Sequence, residues 1–185
     1  MVKTIYKEEQ KFGQPWIWLI WVPLTAGSLV FFGFGLHRQL FLGEPFGDKP
    51  MPDTGLIITS ILVVLMMIGL TVLFYRMKLV VEIRSDGIHY RYPPMIMKFR
   101  RISREEIDRL EVREYKPLKE YGGWGIKAGT KKYGKAFNVK GNQGLQLYLK
   151  NGSKVLFGTQ RRAAITTAAH KMMNTESPET ANREY

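Results

Sequence analysis

The sequence has no cysteine in its 185 residues. Disulfides, thiolate metal sites and a cysteine nucleophile are therefore excluded. No Gly-x-Gly-x-x-Gly fingerprint joins a strand to a helix, and no Gly-Lys-Ser/Thr is present, so a nucleotide-binding loop has no support. The three histidines, His37, His89 and His170, lie far apart and have no acid or metal-ligand partner at motif spacing. We expect no catalytic site, no bound metal and no cofactor.

Charge is missing from two long segments near the N-terminus, residues 16–36 and 55–75, neither of which contains Asp, Glu, Lys or Arg. A helix of 21 residues is about 31 Å long, which matches the hydrocarbon core of a bilayer. Trp16, Trp18 and Trp21 begin the first segment, as is typical of a membrane interface. We predict two transmembrane helices. A pair of buried core helices and a cleaved signal peptide are the alternatives, and no Ala-x-Ala cleavage site follows the first segment.

The flanking charges predict an orientation. Residues 1–15 carry Lys3, Lys7 and Lys11, whereas the connection 37–54 has nearly balanced charge. From Arg76 onward the chain holds 23 of the 28 Lys and Arg residues and 11 of the 16 Asp and Glu residues. The positive-inside bias therefore predicts a multi-pass protein of the cell (inner) membrane, with both termini in the cytoplasm and the connection outside.

Strand patterns begin directly after the second apolar segment. Leu79, Val81 and Ile83 lie on one face of the predicted strand 78–84, and Ser85-Asp86-Gly87 predicts a turn. The clearest hairpin runs through residues 145–158, with Asn151-Gly152 as an expected type I′ turn. A helix over 161–173, capped by Thr159, has one apolar stripe. We expect a cytoplasmic segment 1–15, a folded domain 76–173 and a disordered tail 174–185.

Seven or eight short strands followed by one helix, together with Gly122-Gly123-Trp124-Gly125-Ile126 and Gly141-Asn142 ahead of the hairpin, resemble bacterial pleckstrin-homology-like (PH-like) domains. The arrangement is similar to small bacterial membrane proteins with two transmembrane helices before such a domain. The resemblance implies an α+β membrane protein: a two-helix transmembrane hairpin, then a PH-like antiparallel β-sandwich or open barrel closed by a C-terminal helix.

Excess positive charge is the remaining functional feature, because the domain after Tyr75 carries the entire net charge of +12. Anionic lipids attract each nearby Lys or Arg by about 1 kcal/mol. Candidate residues for lipid headgroups or a partner are Arg76, Lys78, Lys98, Arg100, Arg101, Arg104, Lys127, Lys131, Lys132 and Lys135. A solubilised basic surface without any specific ligand is the alternative explanation.

We therefore expect a non-catalytic, membrane-anchored binding or scaffold module. It would engage a protein partner or further copies of itself at the cytoplasmic membrane surface, with help from anionic headgroups. A membrane-tethered nucleic-acid-binding domain is the less favoured alternative, since no RNA-binding motif accompanies the charge. An enzyme would need a pocket that gathers acidic residues or His89. A channel would need polar residues in the two spans.

Overall fold

A computed structural model describes residues 2–13, 15–130 and 132–174. The chain divides into two compact units: residues 13–75 form one, and residues 1–12 together with 76–185 form the other. The tail that we expected to be disordered lies outside the described residues, except for Asn174.

The first unit is a pair of apolar helices, α1 (Pro15–Leu36) and α2 (Asp53–Arg76), and a π-helical turn (His37–Phe41) continues α1. Both are long and apolar enough to cross a membrane. The indole of Trp21 donates to Thr71 Oγ1, 2.9 Å away, and its ring meets Phe74 edge-on. The prediction of two such helices ahead of a β-rich region is confirmed.

The second unit contains two sheets. Their strands are β1 (Thr4–Lys11), β2 (Lys78–Arg84), β3 (Gly87–Tyr92), β4 (Ile96–Ser103), β5 (Ile107–Glu114), β6 (Gly125–Lys127), β7 (Lys135–Asn138), β8 (Gln143–Leu149) and β9 (Lys154–Gly158). The first sheet has the order β1-β2-β3-β4 and the second has the order β5-β8-β9-β7-β6. The described part of the unit also contains two α-helices, α3 (Pro117–Tyr121) and α4 (Arg162–Asn174), and one 3-10 turn (Arg104–Glu106).

The core lies between the two sheets. The ring of Tyr90 on β3 is 4.8 Å from that of Phe137 on β7 and 4.9 Å from that of Phe157 on β9. The Tyr92 hydroxyl donates to the backbone oxygen of Asn138, 3.0 Å away. Helix α4 buries Ile165, Ala168, Ala169 and Met172, and it contacts β1 and β2 of the first sheet and β5 and β8 of the second. The α+β class and the terminal helix are therefore confirmed.

Three local features differ from expectation. The first sheet includes β1, which comes from the segment that we had placed outside the domain. Strands β7 and β9 pair in parallel, whereas we expected antiparallel pairs throughout. The prediction of a type I′ turn at Asn151-Gly152 is wrong. Such a turn needs a positive φ at Asn151, but no described non-glycine residue has one, and the amide of Gly152 donates to Leu149 O, 2.8 Å away. The hairpin instead uses a type I turn followed by Gly152, whose φ is 81°.

Candidate functional site

The two strands that lead to and from the apolar helices are neighbours. Strand β1 ends four residues before Pro15, the first residue of α1, and strand β2 begins two residues after Arg76, the last residue of α2. The two strands pair antiparallel, with Lys11 opposite Lys78. The amide of Phe12 donates to Met77 O, 3.4 Å away. We call this end of the first sheet the junction end, because both connections to the helices start there.

The turn between β3 and β4 lies at the same end. The amide of Lys78 donates to Pro93 O, 3.2 Å away, so residues 93–97 are fixed beside the start of β2. We call these five residues the tip. Met95 and Met97 are 51% and 65% exposed, an unusual state for apolar side chains in a domain with an otherwise well-covered core. The tip is an exposed apolar feature at the junction end.

Strand β4 continues from the tip as a basic edge of the first sheet. It pairs with β3 on one side, and the sheet order places no described strand on the other. Lys98 and Arg100 are exposed, and the side chain of neither forms a hydrogen bond or an ion pair with any residue that the structure describes. Cations without a local carboxylate keep their full attraction for an external anion. These two side chains are the best placed of the predicted set to bind one.

Arg101, by contrast, is already paired. The carboxylate of Asp86 lies 3.1 Å from Arg101 Nη1 and 3.0 Å from His89 Nε2. Partial burial alone would raise the pKa of Asp86, but the hydrogen bonds from His89 and Arg101 outweigh it and hold the pKa below its ordinary value. The contacts of Asp86 with His89 and Arg101 fix the β2–β3 turn to β4, and they leave Arg101 less available to a ligand.

The outer face of the first sheet also carries an arginine and aromatic cluster. The guanidinium of Arg91 lies 4.8 Å from the centre of the Phe99 ring, and that of Arg84 lies 5.7 Å from it. Arg84 is also paired with Glu82, 2.6 Å away. Within the described residues, the buried Nε of Arg91 has no hydrogen-bond partner. Stacking on Phe99 holds Arg91 flat against the sheet next to the basic edge.

The other predicted cations are distributed over the fold. Lys78 is paired with Glu9, 2.8 Å away, and Arg104 donates to Met173 O, 2.8 Å away. Arg76 is exposed at the end of α2. Three lie on the second sheet or its loops: Lys127, Lys132 and Lys135. Lys131 lies outside the described residues. The structure therefore places Lys98, Arg100 and Arg101 on one strand and does not bring Lys127, Lys132 or Lys135 to that strand.

A cleft of about 710 Å³ opens between the sheets at the loop before β7. Its walls include Tyr90 and Ile102 from the first sheet, Phe137 from the second, and Lys135 at the rim. None of the described residues that line it is a carboxylate or a histidine. Among the described residues there is also no group of three His, Asp or Glu side chains that could hold a metal. The described residues of the cleft therefore offer shape and two cations, Lys135 and Lys154, without an acid–base pair.

Sequence reasoning missed the tip and the polar inner face of β1. Met95, Ile96 and Met97 form an apolar run directly after Pro93-Pro94 and before Lys98, and such a run next to a turn could have suggested an exposed apolar segment.

Comparison of the chain with family models, with curated proteins and with solved structures finds no match.

Proposed function

We propose that this protein is a non-catalytic, membrane-anchored binding or scaffold module whose basic domain has a PH-like architecture. It works at the cytoplasmic surface of the cell membrane, where it engages a protein partner or further copies of itself with help from anionic lipids. The exposed, unpaired cations of β4 at the junction end carry this proposal, because they lie close to the points where the chain enters the two apolar helices.

Membrane anchoring is supported by the exposure of the two helices. None of the most apolar stretch of the first candidate span is buried inside the protein, and only 17% of the second is. A core helix of a soluble protein would bury most of such a surface. Lipid is the solvent in which helices with so much exposed Leu, Ile, Val and Phe are stable.

The pairing of β1 with β2 supports the hairpin topology. One strand precedes α1, the other follows α2, and both belong to one sheet. If both helices cross the membrane, the residues before the first and after the second must lie on the same side. The positive-inside bias then favours the cytoplasm for this side, since the domain carries the net positive charge.

The PH-like assignment is supported by the arrangement of the second unit. Two sheets enclose one core, and the C-terminal helix contacts strands of both. The two sheets do not close into a barrel, and β1 comes from ahead of the apolar helices. Strand β4 is an edge strand, and edge strands can accept a further strand from a partner or from a second copy.

The lipid component is tested on the full-length chain in detergent by native mass spectrometry with mixed phosphatidylglycerol and phosphatidylcholine. We expect the wild-type protein to retain phosphatidylglycerol preferentially. Lys98→Gln with Arg100→Gln should weaken this retention by about fivefold per cation. The matched control is Lys3→Gln with Lys150→Gln, which removes the same charge from exposed positions away from the junction end and should leave retention unchanged. Equal retention by both double variants would contradict the proposal.

The nucleic-acid alternative is tested with the same preparations by anisotropy of a labelled single-stranded RNA over a salt series. If the protein binds RNA strongly and shows no preference for phosphatidylglycerol, the nucleic-acid alternative is favoured.

Self-association is tested by chemical crosslinking of the two double variants and the wild type in native membranes.

A further inference from the structure

The tip exposes two apolar side chains, Met95 and Met97, at the junction end of the first sheet. Met95 lies in the turn between β3 and β4, Met97 is the second residue of β4, and both are exposed, as is Pro94. Methionine is unbranched and flexible, and it therefore adapts to irregular apolar surroundings. None of the described residues covers these two side chains enough to bury them.

The chain fixes the distance between the tip and the end of α2. Lys78 follows Arg76 by two residues, which span at most about 7 Å. Its amide bonds to Pro93 O over 3.2 Å. The start of the tip is thus within about 10 Å of the last residue of α2, whatever the direction of the helix. A basic residue at the end of a transmembrane helix normally lies at headgroup level.

The residues that follow the tip suit a lipid surface. Lys98 comes directly after Met97, and Arg100 lies two positions farther along the same strand. Both are exposed and unpaired among the described residues. An apolar segment flanked by cations is the usual pattern of a segment that lies at the membrane interface, where side-chain stems enter the apolar layer and charges meet phosphates.

We propose that residues 93–97 insert into the interface of the cytoplasmic leaflet, with Met95 and Met97 at the acyl boundary and Lys98 and Arg100 on lipid phosphates. This inference rests on the proposed anchoring of α2 in the membrane. It adds a second point of contact, so the domain is held in one orientation and does not swing freely on its connections.

The test uses nitroxide labels on single cysteines of the full chain, which is possible because the protein has no cysteine of its own. The labels replace Met97 in the tip, Leu62 within α2 and Lys150 in the β8–β9 turn. Lys150 is the control, because its amide bonds to Glu106 O, just beyond the end of β4 that is remote from the tip. The protein is reconstituted in phosphatidylcholine vesicles that contain phosphatidylglycerol, and collisions with oxygen and with a nickel chelate are measured.

We expect the Leu62 and Met97 labels to favour oxygen over nickel and the Lys150 label to favour nickel. If the Met97 label is as accessible to nickel as the Lys150 label while the Leu62 label favours oxygen, the tip is in water and this inference is overturned alone. A Met97 label shielded from both reagents also overturns it, because a second copy or a protein partner then covers the tip. A Leu62 label in water overturns the proposed anchoring as well.

A second variant guards against insertion driven by the label itself. Met95→Asp with Met97→Asp, read by a label at Pro94→Cys, should lose the preference for oxygen that the same label shows in the parent chain. Because both methionines are exposed, these changes leave the core intact. An unchanged preference would overturn the role of the two methionines.

Discussion

The carboxylate of Glu8 accepts a hydrogen bond from the hydroxyl of Thr159, 2.7 Å away, although the two residues are 151 positions apart in the chain. The same carboxylate accepts the amide of Gln160 at 2.7 Å and the hydroxyl of Tyr6 at 2.5 Å. Two positions along β1, Gln10 Nε2 donates to Gly158 O at 2.6 Å. Strand β1 therefore joins the first sheet to the connection between β9 and α4.

Replacing Glu8 with Gln should lower the free energy of unfolding of the domain by about 1–3 kcal/mol, because a buried acceptor becomes a donor that faces other donors. Hydrogen exchange of domain peptides in the solubilised full chain measures this loss. Glu9→Gln is the matched control. It makes the same change on the exposed side of the same strand, where the ion pair with Lys78 contributes about 0–1 kcal/mol. Equal losses in both variants would contradict the role of Glu8.

The domain should become an independent soluble protein when residues 13–76 are replaced by Asn-Gly. Phe12 and Met77 are hydrogen-bonded neighbours, and a two-residue turn fits the ends of paired antiparallel strands. Circular dichroism and size-exclusion chromatography should show a folded species. A fragment that starts at Met77 lacks β1 and leaves β2 as an unpaired edge, so we expect it to aggregate. A stable, monomeric fragment of this kind would show that β1 is dispensable.

The carboxylate of Asp86, which is paired with His89 and Arg101, should make the stability of the domain sensitive to acid. Since its pKa is lowered on folding, its contribution to stability is complete above the ordinary value of 3.8 and is lost as the pH falls below it. Asp86→Asn should lower the free energy of unfolding by about 1–2 kcal/mol at neutral pH. The difference between variant and wild type should shrink as the pH falls below about 3.8. Hydrogen exchange or thermal unfolding over a pH series measures it, and a constant difference would contradict the assignment.

Gly87 should not tolerate a side chain. Its φ is 141°, and a Cβ there would lie 2.2 Å from Ile102 O. We expect Gly87→Ala to lower the free energy of unfolding by about 2–4 kcal/mol. Gly152→Ala is the control, because its positive φ is strained for alanine but no atom lies within 4 Å of the added Cβ. Thermal unfolding of both variants should show the larger loss for Gly87→Ala, and the reverse order would be inconsistent with the close approach to β4.

The orientation can be tested with single cysteines and an impermeant maleimide on intact cells or spheroplasts. Asp48→Cys, in the connection between the helices, should react from outside. Lys3→Cys and Lys150→Cys should react only after the membrane is opened, because both belong to the unit that we propose to lie on the cytoplasmic side. Labelling of Lys150→Cys in sealed cells would exclude the proposed orientation.

The amino-acid sequence alone determined the apolar helices and most strands. A run of more than 20 residues without charge is a local property, and α1 and α2 begin and end within two residues of the predicted limits. The alternation of Leu79, Val81 and Ile83 is also local, and β2 spans the residues that it indicates. Such patterns need no distant partner to be recognised.

Only the tertiary structure decided the place of β1 and the roles of the cations. The inner face of β1 presents Tyr6, Glu8 and Gln10, so its alternation is not one of apolar and polar residues. Its polar groups can be buried because Thr159, Gln160 and Gly158 satisfy them from the other end of the chain. Likewise, Arg101 and Lys98 are both cations of the same predicted strand, and the sequence does not distinguish their roles. Folding supplies a carboxylate to Arg101 and leaves Lys98 unpaired beside an exposed apolar turn.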